Sequence, residues 1–159
     1  MDIYRVPRRE IPVRVFLDDG RTIDGTMFTH ESGPGGRPQD ALHHLNEADG
    51  EFVPLACGRD SFLVNKTGVI WVELTGEPAQ ELASNAAAAQ HVPARVRIAG
   101  GASVEGTLAI EMPPERSRVL DYLNAAGRFV ALFREGAVTL VQRRFIVSVR
   151  SGEGATRDL

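Results

Sequence analysis

Ile11-Pro12-Val13-Arg14-Val15-Phe16-Leu17-Asp18-Asp19-Gly20-Arg21-Thr22-Ile23-Asp24-Gly25-Thr26-Met27 decides the fold, because it occurs twice. Val92-Pro93-Ala94-Arg95-Val96-Arg97-Ile98 repeats its opening at an offset of 81. Gly101, Val104, Glu105, Gly106, Thr107 and Leu108 then match Gly20, Ile23, Asp24, Gly25, Thr26 and Met27. Further blocks follow in the same order. Leu42-His43-His44-Leu45-Asn46 matches Leu120-Asp121-Tyr122-Leu123-Asn124 at an offset of 78. Phe52-Val53-Pro54-Leu55 matches Phe129-Val130-Ala131-Leu132, and Leu63-Val64-Asn65-Lys66 matches Leu140-Val141-Gln142-Arg143, both at 77. Val69, Ile70 and Val72 match Ile146, Val147 and Val149. Ordered blocks with a slowly falling offset mark an internal duplication. The extra residues of copy one fall mostly in Glu31-Ser32-Gly33-Pro34-Gly35-Gly36-Arg37-Pro38, a loop by composition.

Each copy reads as strand, strand, short helix, then three strands. Val13, Val15 and Leu17 alternate with Arg14, Phe16 and Asp18, the period of a half-buried strand. Asp18-Asp19-Gly20 supplies a tight hairpin turn. Ile23, Gly25 and Met27 continue the inward face, as Val104, Gly106 and Leu108 do in copy two. An inward glycine in mid-strand predicts a sharp bend or a close backbone neighbour. Asp40 and Ser117 are placed to cap the helices, whose apolar faces carry Ala41, Leu42, Leu45 and Ala48 in one copy and Val119, Leu120, Leu123 and Ala126 in the other. Gly50 and Gly127 stand near the expected helix ends. The remaining strands are predicted at 51–57, 61–65 and 69–74, and at 128–133, 137–142 and 145–150. The domain organisation is then a first repeat over 1–74, a linker over 75–91 that is a tether or a short helix, a second repeat over 92–150 and a frayed tail over 151–159. The fold class is mainly β with short helices, as two small barrels.

The stretch Val13 to Thr26 resembles the first motif of Sm-like proteins, where a strand, a short Gly turn and a Gly-bent second strand occur at this spacing. Asn65-Lys66-Thr67-Gly68-Val69-Ile70 is loosely similar to their second motif. The resemblance implies a small barrel of Sm-like or SH3-like type. It does not bring the RNA-binding residues with it: the Asp and Asn block after the bent strand is replaced by the Gly-Pro loop and a helix, and the Arg-Gly pair of the second motif is absent. The Leu-x-x-Leu-Asn helix followed by Phe-Val-x-Leu also resembles an uncharacterised bacterial domain family.

Composition bounds the class. The chain has 159 residues, 43% apolar and 25% charged, a globular composition. No apolar stretch approaches the ~20 residues of a membrane span. The opening Met1-Asp2-Ile3-Tyr4-Arg5 lacks the pattern of a secretory signal, and Cys57 is the one cysteine, so a bacterial cytoplasmic protein is expected. The net charge of −3 hides a split: residues 11–74 carry five basic and ten acidic side chains, residues 93–150 nine basic and five acidic. Oppositely charged halves attract, and with large apolar side chains to bury they predict a packed pair with Trp71 at or near the contact.

No catalytic constellation stands out. His43 and His44 are adjacent on a helix, point about 100° apart and cannot chelate together. His30 and His91 have no counterparts in the other copy. Cys57 has no base beside it in the sequence and reads as a small buried thiol. Asp18, Asp19 and Asp24 are turn chemistry without calcium-loop spacing. Gly33-Pro34-Gly35-Gly36 lacks the Lys-Ser/Thr of a phosphate loop. The expectation is no enzyme, no metal and no cofactor.

The copies differ on their outward positions. Phe16 corresponds to Arg97 and Trp71 to Ser148, and copy two adds Arg134, Arg143, Arg144 and Arg150 near its last strands. Phe16 and Trp71 pack within the molecule or anchor a partner. The arginines make a solvated edge or meet an acidic partner. Phe16, Trp71, Arg97, Arg134, Arg143 and Arg144 are therefore the candidate partner-binding residues. The expected function is a protein-interaction adaptor whose partner is another protein. Sm-like binding of RNA or single-stranded nucleic acid through the basic second repeat is the alternative, with no membrane partner and with self-association compatible with either reading.

Overall fold

The computed structural model describes residues 8–31, 36–47, 50–113 and 118–152. The first unit contains β1 (Arg8–Leu17), β2 (Thr22–His30), α1 (Ala41–Asn46), β3 (Phe52–Cys57), β4 (Asp60–Asn65) and β5 (Val69–Thr75). Helix α2 (Gly76–Asn85) follows. The second unit contains β6 (Gln90–Ile98), β7 (Ser103–Ile110), α3 (Val119–Ala125), β8 (Phe129–Arg134), β9 (Ala137–Gln142) and β10 (Ile146–Ser151). A single 3-10 turn joins the last two strands of each unit, at Lys66–Gly68 and at Arg143–Phe145. The described residues are mainly β, with antiparallel strands and three short α-helices. Among the described residues no helix is long and apolar enough to cross a membrane.

The ten strands of the described residues belong to one open sheet, ordered β10-β6-β7-β8-β9-β5-β1-β2-β3-β4. Its left half repeats its right half. Val13 lies opposite Gly25 and Ala94 opposite Gly106. Phe52 pairs with Asn65, and Phe129 with Gln142. Even the register shift recurs: it falls between Phe16 and Leu17 against β5, and between Ile146 and Ser148 against β6. The first and last strands of each unit pair with each other, β1 with β5 and β6 with β10, but among the described residues no ladder joins β4 to β5 or β9 to β10 to close a unit into a cylinder.

The paired glycines act through close approach. A Cβ on Gly25 would lie 3.0 Å from the Ala56 carbonyl oxygen, and one on Gly106 would lie 2.9 Å from that of Phe133. Ala56 and Phe133 are repeat-equivalent, so one packing solution is used twice. Asp40 caps α1, its carboxylate accepting from the His43 N–H at 2.7 Å. The proposed cap Ser117 and the helix-face residue Ala48 lie outside the described residues, as do residues 32–35 of the Gly-Pro loop and the tail from 153. Gly50 and Gly127 do not cap helices, since α1 and α3 end on extended residues, Glu47 and Ala126. Gly127 serves the junction between the units instead. A Cβ there would meet the Asn46 side chain at 2.8 Å.

The stretch 75–91 holds α2 and the first residues of β6. Ala79 and Leu82 of α2 are buried in the first core. Arg9 forms a bidentate ion pair with Glu81 that ties β1 to the helix. Two cores result. The second gathers Ala94, Val96, Ile98, Leu108 and Leu132. The first gathers Ile11, Val13, Val72, Leu74 and Leu45, but it also takes Phe129, Ala131, Val138 and Leu140 from the second unit. Alternate residues of β8 and β9 thus enter different cores, and both faces of this hairpin are buried.

Candidate interaction surface

The junction is built by adding β9 to the edge of β5. Val72 lies opposite Leu140 and Trp71 opposite Val141. Polar groups clamp its ends. The Gln142 side-chain amide donates to the carbonyls of Lys66 at 2.9 Å and Val69 at 2.6 Å. The Asn46 side chain pairs with the Phe129 backbone, accepting from its N–H at 2.7 Å and donating to its carbonyl at 3.3 Å. Arg128 reaches across to both carboxylate oxygens of Glu51, at 3.1 and 3.2 Å, and so holds the Glu51 carboxyl below its usual range. Lys66 is fully buried, with Nζ donating to the Glu47 carbonyl at 3.0 Å.

Trp71 and Phe16 stack with centroids 4.6 Å apart, both half-buried, and Trp71 packs on the second core. Arg144 donates to the Thr67 carbonyl at 2.8 Å, and its guanidinium lies 4.7 Å from the Phe145 ring centroid. Arg143 donates to the Leu123 and Asn124 carbonyls. Arg134 sits 3.8 Å from Glu73. Arg97 is exposed on β6, in register with Ser103 and Ser148. The structure thus brings Phe16 and Trp71 together, places Arg134 and Arg144 at the junction, and leaves Arg97 on the other side of the second unit.

The residues that sequence reasoning passed over lie on the free edge of the first unit. The outer face of the β3–β4 hairpin carries Phe52, 58% exposed, and Leu63, 72% exposed, while Phe62, 42% exposed, lies on the opposite face in register with Leu55. The counterparts of Phe52 and Leu63, Phe129 and Leu140, are 2% and 0% exposed. At the opposite end of the sheet β10 exposes Val147, and α3 exposes Leu120. A shallow groove lined by Leu123, Asn124, Arg143 and Ile146 lies beside them. The available signal was the pair Phe52 and Leu63 on one face of a predicted hairpin whose edge nothing in the first repeat covers.

A cleft of about 360 Å³ lies between the three helices, lined mostly by apolar groups such as Leu42, Leu82, Met112 and Phe133. Tyr122 opens onto it, and burial pushes its phenol pKa up. Among the described residues no group of three or more His, Cys, Asp or Glu side chains could hold a metal ion. His43 is exposed, while burial pushes the His44 pKa down despite Glu47 at 3.8 Å. No protein family, curated protein or solved structure matches the chain.

Proposed function

We propose that the chain is a non-enzymatic protein-interaction module of the cytoplasm, built from two small barrel-like units, with the β3–β4 edge as its binding surface. The observation that carries this reading is the exposure of Phe52 and Leu63 on one face of the β3–β4 hairpin, whose outer strand β4 ends the sheet. Native proteins blunt such edges with charge, bulges or covering segments, because an uncovered apolar edge recruits another chain. Here the apolar side chains are retained. Nucleic-acid binding has weaker support. Arg143 and Arg144 already donate to backbone carbonyls, and few aromatic side chains accompany the basic groups.

The test is affinity purification of the tagged full chain from native cells, beside a Phe52→Ser/Leu63→Ser variant and an Arg143→Ala/Arg144→Ala variant. Proteins retained by the unaltered chain and lost with the first variant support the interaction reading. RNA retained by the unaltered chain and lost only with the second would replace it with the nucleic-acid reading. Turnover that depends on a named polar side chain would overturn both.

A further inference from the structure

The junction inside the chain has a second, unfilled copy of each of its halves. In the filled junction the inserted half is the β8–β9 hairpin, which presents Phe129 and Leu140. Its repeat-equivalent is the β3–β4 hairpin, which presents Phe52 and Leu63 to solvent. The receiving half is the edge of β5 with the end of α1: Leu45 and Val69 share the core that takes Phe129, Asn46 holds the Phe129 backbone, and the Lys66 carbonyl accepts from Gln142. Its repeat-equivalent is the edge of β10 with the end of α3: Leu123, Asn124, Arg143 and Ile146, which line the exposed groove. Both free strands are the end strands of the sheet. Gly127, which leaves room for Asn46, corresponds to Gly50, which lacks a side chain in the same place.

From this we infer that the partner of the β3–β4 edge is the β10 edge of a second copy of this chain, docked head to tail in the register of the internal junction. The inference rests on the interaction reading above and names its occupant. The internal register sets Val72 opposite Leu140 and Leu74 opposite Val138. Between chains it sets Val149 opposite Leu63 and Ser151 opposite Ser61. Phe52 enters the groove over Leu123, and the Asn124 amide meets the Phe52 backbone as Asn46 meets that of Phe129. Charge agrees with this polarity. The β3–β4 edge belongs to the acidic unit and the β10 edge to the basic one, so each new contact again joins opposite signs.

The junction between chains is the weaker of the two. Leu74 and Trp71 are replaced by Ser151 and Ser148. Asn65 stands in for Gln142, and its side chain accepts from the Thr67 N–H of its own turn at 2.9 Å. The association is therefore reversible and weakened by salt. A heterologous contact of this kind either closes into a ring or runs on as a filament.

The experiment uses the purified full chain. Light scattering behind size exclusion at low salt should give masses that are multiples of the single chain and rise with concentration. Phe52→Ser and Leu63→Ser should each raise the dissociation constant about tenfold to a hundredfold. Because both residues are exposed, their circular dichroism and unfolding cooperativity should match the unaltered chain. A cross-link then reads the register. In a Cys57→Ala background, a Ser61→Cys chain and a Ser151→Cys chain should form a covalent dimer on oxidation only when mixed. Dimers from the Ser61→Cys chain alone would show edge-to-itself pairing and overturn the head-to-tail arrangement, as would association that survives both serine variants. A chain that stays single at its highest soluble concentration would overturn self-docking. Proteins still lost with Phe52→Ser/Leu63→Ser in the affinity purification would then leave the interaction reading standing.

Discussion

The β3–β4 and β8–β9 hairpins share a length, a register and a two-residue turn, yet one is the rim of the molecule and the other its centre. Along β3 only alternate residues are buried, whereas four consecutive residues of β8, from Phe129 to Leu132, are buried. The same strand pairing therefore yields different burial depending on what lies beside it. A side chain on the outer face of the first hairpin meets water. On the second it meets the core of the neighbouring unit. A duplication does not create two equal domains when the copies touch. It creates one filled junction and leaves one unfilled set of complementary surfaces.

Substitutions at repeat-equivalent positions test that difference, provided they are measured where the chain is single. The largest contrast is expected at Leu140 and Leu63. Leu140→Ala removes a fully buried side chain from the first core and should cost about 2–5 kcal/mol in denaturant unfolding. Leu63→Ala should lie within about 0.5 kcal/mol of the unaltered protein. Equal losses would show that the two hairpins are buried alike.

The polar clamp gives the next contrast. Asn46→Ala strands the Phe129 N–H and carbonyl and should cost about 1–3 kcal/mol, because a buried backbone group left without its partner bears the full desolvation penalty. Asn124 is exposed, and Asn124→Ala should leave stability of the single chain almost unchanged while weakening association. If Asn124→Ala destabilised the single chain as much as Asn46→Ala, its assigned role would be wrong.

The smallest contrast is one of pH. His44 and its counterpart Tyr122 are both largely buried. Burial lowers the His44 pKa, with His30, His43 and Lys66 lowering it further and Glu47 opposing them. The unfolded chain then binds a proton more readily than the folded one. The neutral folded form is fully favoured above the ordinary histidine value of 6.5, and stability is lost as pH falls from there through the folded value. His44→Gln should flatten stability over that window, measured as the urea midpoint against pH. Tyr122→Phe should not change its slope, since a phenol does not titrate there.

Sequence alone determined the repeat, and with it most of the local structure. Alternation at Val13, Val15 and Leu17 and the turn at Asp18-Asp19-Gly20 specify a hairpin through period and chirality, which are properties of neighbouring residues. The inward glycines Gly25 and Gly106 announced a sharp bend or a close backbone neighbour, and the carbonyls of Ala56 and Phe133 are such neighbours. The edge strands were legible too, since each predicted strand of the second half of either unit lies within a residue or so of its observed bounds. Only the tertiary structure decided that β9 adds to β5 and turns two units into one open sheet. That choice depends on which of two similar edges is nearer and more apolar along a folded chain. The continuous apolar run at Phe129–Phe133 hinted at burial on both faces, but a sequence does not say which surface provides the second cover. For the same reason Phe52 and Leu63 looked like ordinary strand residues. Their exposure arises from the absence of a neighbour at the end of the sheet, and absence of a neighbour is a property of the assembled molecule.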